Sequence, residues 1–194
     1  MPLPPPGPDA HVLVTGASSG IGAAIARALA GRGYPTQLVA RREEALRELA
    51  AELRGLSGLT AEVHAADLGS DEGRDTVRRL VLDDERVLGV VNAAGYGVTG
   101  RVADLADDEG RAKLDGLVRL NVLALHDLSV AAVGALVHRA RASRRPGAIL
   151  NVSSITAFQP LPGWRATRRA RRSCSPSRRR CTPSCTAPGS ASPR

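Results

Sequence analysis

The sequence predicts an α/β domain with a doubly wound parallel sheet, and three observations carry that expectation. Apolar runs of strand character recur at residues 11–15, 34–40, 60–66, 87–93 and 148–152, with helix-forming stretches between them. The turn after the first run is rich in glycine. A polar residue stands just past each run, where the carboxyl ends of parallel strands gather ligands.

His11-Val12-Leu13-Val14-Thr15 reads as a buried strand. Gly16, Gly20 and Gly22 punctuate the turn that follows, and residues 23–30 (AAIARALA) continue as a strong helix former. A strand that reverses sharply into a helix needs a permissive backbone, and a pyrophosphate must approach where any Cβ would intrude. Exposed N–H groups and the positive end of the helix dipole then hold the phosphate charge. The spacing Gly-xxx-Gly-x-Gly differs from the commonest dinucleotide fingerprint, and a tight strand-to-helix turn without a ligand would call for glycine as well.

Residues 34–40 (YPTQLVA) form the second predicted strand, and 42–54 an amphipathic helix with Ala45, Leu46, Leu49 and Leu53 on one face. The third strand, 60–66, ends at Asp67-Leu68. A helix over 70–82 follows, with Ser70 placed to cap it and Asp71 and Glu72 favourable in its first turn. The fourth strand, 87–93, runs into Ala94-Gly95. Two helices fill 105–141, the second carrying Val118, Val122, Leu125, Ser129 and Val133 on one stripe. The fifth strand, 148–152, ends at Ser153-Ser154. Gly16–Gly22, Arg41, Asp67, Asn92 and Ser154 therefore collect at one edge of the sheet, as a dinucleotide site with a polar group near its reactive end.

The formal charge of +8 is unevenly spread. Residues 165–194 hold nine arginines and no acidic residue, leaving 18 basic and 19 acidic side chains in residues 1–164. The body is near neutral and has no nucleic-acid footprint. Cys174, Cys181 and Cys185 all lie beyond it, in no common zinc spacing, and His11, His64, His126 and His138 are scattered, so no metal is expected. A cysteine-free body suits a reducing compartment, the opening MPLPPPGPDA lacks the features of a signal peptide, and no apolar run approaches membrane-spanning length. The expectation is a cytoplasmic protein without membrane contact, divided into a proline-rich lead (1–10), the sheet domain (11–164) and an Arg/Ser/Pro tail (165–194).

Thr15-Gly16-Ala17-Ser18-Ser19-Gly20-Ile21-Gly22, Asp67-Leu68, Asn92-Ala93-Ala94-Gly95, Asn121 and Asn151-Val152-Ser153-Ser154 together resemble the short-chain dehydrogenase/reductase family over about residues 10–164. The resemblance implies a Rossmann-like fold and hydride transfer between a nicotinamide cofactor and a carbonyl/alcohol substrate. It places Gly16, Ser18, Ser19, Gly20, Ile21 and Gly22 around the pyrophosphate and ribose, Asp67 with Leu68 at the adenine, and Asn92, Ala93 and Gly95 along the cleft. Asn121 would hold a water in the proton relay, and Ser154 would hydrogen-bond the substrate oxygen. Without the resemblance, Asp67 reads equally as a turn residue, Asn121 as a helix bend and Ser154 as a loop serine. Arg41 and Arg42 follow the second strand where a carboxylate would select NAD, and guanidinium groups suit the 2′-phosphate of NADP. Arg42 could equally open an exposed helix.

The family's proton-transfer step uses a Tyr one helical turn before a Lys, a cation that lowers the phenol pKa. Those positions fall near Thr167 and Arg171. The tyrosines are Tyr34 and Tyr96 and the lysine is Lys113, all upstream of Ser154, so the pair is missing and this chain is expected to be inactive. From Arg165 the composition collapses to Arg, Ser, Pro, Thr, Cys and Ala, without the apolar periodicity a core needs. A body with 17 Arg to one Lys suggests GC-rich coding DNA, and a shift of reading frame close to Trp164 would produce such a tail. The fold is then truncated after the fifth strand, the tail disordered, and the family's homo-oligomer contact beside the Asn121 helix removed. Two rival functions remain: a non-catalytic dinucleotide-binding module, and nucleic-acid binding by the tail, which the absence of aromatics beyond Trp164 disfavours.

Overall fold

The computed structural model describes residues 3–100 and 102–158. The tail and the Thr167 and Arg171 positions lie outside the described residues. Within them the chain alternates strand and helix: β1 (His11–Thr15), α1 (Gly20–Ala30), β2 (Thr36–Ala40), α2 (Glu43–Ser57), β3 (Ala61–Ala65), α3 (Asp71–Asp83), β4 (Val87–Asn92), α4 (Asp108–Val118), α5 (Leu125–Ser143) and β5 (Ala148–Asn151). All pairings are parallel and the strand order is β3-β2-β1-β4-β5. The order reverses between β1 and β4, which opens a crevice at their carboxyl ends.

Strand alternation divides the core in two. Val12, Val14 and Leu38 face α1 and α2, meeting Ala26, Leu29, Leu46, Leu49 and Leu53. Leu13, Val39 and Val90 face the other way, onto Val77 and Val81 of α3 and Leu128, Ala132 and Leu136 of α5. Ser70 caps α3 as expected, its hydroxyl accepting from Gly73 N at 3.0 Å. The proline-rich lead packs as well: Leu3 lies on the first cluster, and the Tyr34 hydroxyl donates to the Pro4 carbonyl at 2.6 Å.

The expected pair of helices over 105–141 is one continuous rod, in which a π-helical segment, Arg119–Ala124, joins α4 to α5. The buried face lies one residue before the expected one along the whole rod. The buried stripe is Leu117, Asn121, Ala124, Leu128, Ala132 and Leu136, whereas Val118 and Val133 of the expected stripe are 51% and 54% exposed. One 18-residue stretch of this rod reaches a mean hydropathy of 1.8, so by length and composition alone it matches a membrane span, where the sequence reading expected no apolar run of that length. Its Leu128, Ala132 and Leu136 are instead spent on the sheet core.

At the strands' opposite ends lies a half-buried polar cluster. Gln37 donates to Asp84 at 2.6 Å, Arg86 bridges Asp84 and Glu62, and His11 and His64 stand 3.9 and 3.8 Å from the two Glu62 oxygens. Burial, with Arg86 nearby, pushes His11 below its ordinary 6.5, and burial does the same to His64. The unfolded chain therefore takes protons that the folded one refuses. Stability is complete above about pH 6.5 and falls as pH drops below it, by up to ~2.7 kcal/mol per pH unit for two histidines. Asp84, held down to about 2 chiefly by Arg86, withdraws its own contribution only in much stronger acid. Urea unfolding between pH 7.5 and 5.5 checks this: His64→Gln should flatten the profile, and a wild type that gains stability toward pH 5.5 would refute it.

Candidate functional site

The β1–α1 turn is built around three glycines with different reasons to be glycine. Gly16 has φ 68°, and a Cβ there would sit 2.7 Å from Ala94 Cα, so the turn nests against the exit of β4. A Cβ on Gly22 would run into the Gly16 carbonyl, with the carbon at 2.7 Å, so the first turn of α1 is pressed onto the loop. Gly20 has φ 57°, yet a Cβ there would meet no atom within 4 Å. Protein packing leaves open space at Gly20, directly at the start of α1.

The same helix start lacks a side-chain cap. Ser19 occupies the N-cap, but its side chain accepts no cap hydrogen bond, whereas Ser70 and Asp107 cap α3 and α4. Beside it Ile21 is 60% exposed. Uncapped amides, a positive dipole end and a bare left-handed glycine fit a pyrophosphate, and the apolar Ile21 fits the body of a dinucleotide lying over it.

Thr15 carried no expected role beyond the motif, and the structure gives it one. Its buried hydroxyl accepts from the amides of Ala93 and Ala94, both at 3.1 Å, and donates to Val91 O at 3.3 Å. One side chain thus joins the end of β1 to the chain leaving β4. The sequence signal was a β-branched hydroxyl at the last strand position before the glycine turn.

Arg42 is the N-cap of α2, and its guanidinium reaches back to Ser18, donating to the carbonyl at 3.2 Å and to Oγ at 3.3 Å. It therefore leans over the glycine turn, with the exposed Arg41 beside it. Asp67 is exposed at the exit of β3, and its Oδ1 accepts from Gly69 N at 2.9 Å in a local turn. Leu68 turns its side chain into the core, 4% exposed, and its carbonyl accepts from Arg74 at 3.3 Å.

At the other end of the crevice Asn92 closes β4. Its Nδ2 donates to Asn151 Oδ1 at 2.9 Å and Ser129 Oγ at 3.2 Å, while its buried Oδ1 has no hydrogen-bond partner. Ala93 follows it, held by Thr15, and Gly95 leads into Tyr96. Asn121 sits in the π-helical segment, 1% exposed, and clamps Tyr96 reciprocally: it accepts from Tyr96 N at 3.1 Å and donates to Tyr96 O at 2.7 Å. Ser154 leaves β5 at the start of a short 3-10 turn, its carbonyl accepting from Ala157 at 3.0 Å.

The remaining tyrosines and lysine form no substitute for the missing pair. Tyr34 is buried at the opposite side, against Pro4. The Tyr96 phenol donates to the Lys113 carbonyl at 3.0 Å, and burial raises its pKa, the wrong direction for a proton donor near neutrality. The Lys113 ammonium pairs with Glu109 at 2.6 Å. Among the described residues, no three His, Cys, Asp or Glu side chains could share a metal ion.

Comparison with known proteins agrees with this geometry. The sequence profile of the short chain dehydrogenases matches residues 10–166. The chain is 32% identical over 159 residues to a very-long-chain 3-oxoacyl-CoA reductase of Anas platyrhynchos, covering 81% of this chain and 49% of that protein. It is 34% identical to a Sphingobium yanoikuyae short-chain dehydrogenase solved with NADPH, with a TM-score of 0.76 over 84% of this chain and 60% of that one. A bulky-bulky ketone specific alcohol dehydrogenase of Comamonas testosteroni gives a TM-score of 0.77 at 29% identity, over 84% of this chain and 62% of that one. The chain spans about half the length of the curated relatives it matches. With five parallel strands in this order, a glycine turn at the switch point and a profile match over most of its length, the chain belongs to the short-chain dehydrogenase family.

Proposed function

We propose that the crevice binds NADP(H) and that the fold is that of an oxidoreductase acting on a small carbonyl/alcohol pair. The observation that carries it is the open, left-handed Gly20 at the uncapped start of α1, with Arg42 leaning over the same turn. In this assignment Gly16, Ser18, Ser19, Gly20, Ile21 and Gly22 hold the diphosphate and ribose. Arg41 and Arg42 hold the 2′-phosphate, Asp67 and the Leu68 backbone the adenine, and Asn92, Ala93 and Gly95 the inner wall. The bound cofactor would supply or accept a hydride at the end where Asn121 and Ser154 lie. Ser154 would orient the substrate oxygen, and Asn121 would fix the Tyr96 segment beside it. NADPH in the Sphingobium structure and NADP in a metagenomic short-chain oxidoreductase of 32% identity support the choice of cofactor. The cytoplasm, where such cofactors circulate, is the proposed location.

Turnover is a separate matter. No tyrosine follows Ser154 and the one lysine is tied to Glu109, so general acid–base assistance worth about 10²–10⁴-fold is missing. The family match ends at residue 166, where the composition changes, which supports a frame change near Trp164. The chain then behaves as a dinucleotide-binding module, and reading the coding DNA beyond the Trp164 codon in its other frames for a Tyr-x-x-x-Lys helix tests the frame change directly.

Calorimetric titration tests the binding. NADPH should bind more tightly than NADH. Arg42→Ala should weaken NADPH by at least about tenfold, the worth of one charge-assisted hydrogen bond, and leave NADH nearly unchanged. Equal weakening of both, or a preference for NADH, would overturn the assignment of Arg42, and NADPH oxidation with ketones at an ordinary family rate would overturn the inactivity.

A further inference from the structure

We propose that Ser129 is a positioning residue for Ser154, acting through a polar stitch between the carboxyl ends of β4 and β5. Three side chains close a triangle. Asn92 Nδ2 donates one hydrogen to Asn151 Oδ1 at 2.9 Å and the other to Ser129 Oγ at 3.2 Å, and the Ser129 hydroxyl donates to Asn151 Oδ1 at 3.4 Å. Donors and acceptors balance: both amide hydrogens of Asn92 are used, Ser129 gives one bond and receives one, and the Asn151 oxygen receives two.

The place of this triangle gives it its consequence. Asn92 and Asn151 are register partners, the last pair in the β4–β5 ladder, and Val152 N donates to Asn92 O at 2.9 Å just beyond. Ser153 and Ser154 follow at once. Among the described residues β5 has one neighbouring strand and a short, half-exposed run, so its ladder is supported from one side only. Ser129 comes from a third element, α5, and anchors that last pair to the helix that packs on the sheet. The hydroxyl therefore sets where β5 releases its chain into the crevice. Thr15, at the end of β1, instead holds Ala93 and Ala94 just past Asn92 and makes no bond to the three side chains of the triangle.

This inference rests on Ser154 being the substrate-facing serine, and its test is independent of cofactor binding. Hydrogen exchange read by mass spectrometry on the full chain should show amides 152–154 exchanging about fivefold faster in Ser129→Ala, the factor that one net hydrogen bond of about 1 kcal/mol represents. Amides of β1 and β2 should be unchanged, and Ser129→Thr, which keeps the hydroxyl, should restore the wild-type rate. Asn151→Ala should give the same local effect, and the double variant should add little to either single one. Uniformly faster exchange across the sheet, no change at 152–154, or a threonine that fails to restore the rate would each overturn the proposal. Failure of NADPH to bind the wild type would instead overturn the cofactor assignment and leave these exchange results standing.

Discussion

Gly22→Ala should abolish measurable NADPH binding and destabilise the chain together. The added methyl has nowhere to go: it would overlap the Gly16 carbonyl oxygen and stand 2.7 Å from its carbon and 3.1 Å from Ala17 N. These are backbone atoms of a turn already fixed by Gly16 against Ala94, so no side-chain rotation relieves the overlap. Forced insertion of this kind costs about 1–3 kcal/mol, and the relief available is to push the turn away from the helix start. That is the displacement a phosphate cradle cannot tolerate. Gly20→Ala separates the two effects. No atom lies within 4 Å of its Cβ position, so the stability loss is confined to the left-handed backbone, about 1–2 kcal/mol. NADPH affinity should still collapse if the proposed diphosphate lies over this turn, because the methyl then occupies its space. Normal NADPH affinity in Gly20→Ala would remove the functional reason for this glycine.

Thr15→Val should be the costliest substitution of nearly unchanged shape. Valine fills the same volume at a site only 1% exposed, but it removes the oxygen that accepts from Ala93 N and Ala94 N. Two amides then lose their partner, each at about 1–3 kcal/mol, for a total of about 2–6 kcal/mol. Thr15→Ser keeps the oxygen and gives up one methyl, so it should lose only about 1 kcal/mol. Urea unfolding of the two variants decides it: a valine variant as stable as the serine one would show that the hydroxyl is not what joins β1 to the exit of β4.

Much of the architecture was legible because a doubly wound sheet writes itself in short-range patterns. Each strand needs an apolar run and each helix a stripe or a cap, and Ser70 with Asp71 and Glu72 marked α3 as the structure has it. The rod from Asp108 to Ser143 was harder. A stripe read from Val118 puts Val118 and Val133 inward, but the buried face starts one residue earlier, at Leu117, and leaves both exposed. No single residue in RLNVLA announces the π-helical segment, in which Asn121 is buried and clamps Tyr96.

The site divides along the same line. Gly16–Gly22 and the arginines after β2 were recognisable because each is a short local pattern beside the end of a strand. The Arg42 contact with Ser18, the Thr15 bridge to Ala93 and Ala94, and the Ser129 stitch all join residues more than twenty positions apart. Such pairs depend on strand order and register, which composition does not encode. Leu68 shows the converse: its place beside Asp67 was evident, but its side chain belongs to the core.

The central claim is that backbone amides at the β1–α1 turn hold a dinucleotide's diphosphate. Amide chemical shifts of the ¹⁵N-labelled chain, followed as NADPH is added, test it most directly. The expected result is saturable movement of the amides of residues 16–22, with smaller shifts at Arg41 and Arg42. Saturation by NADPH with those amides unmoved, or a folded chain whose spectrum ignores NADPH altogether, would contradict it.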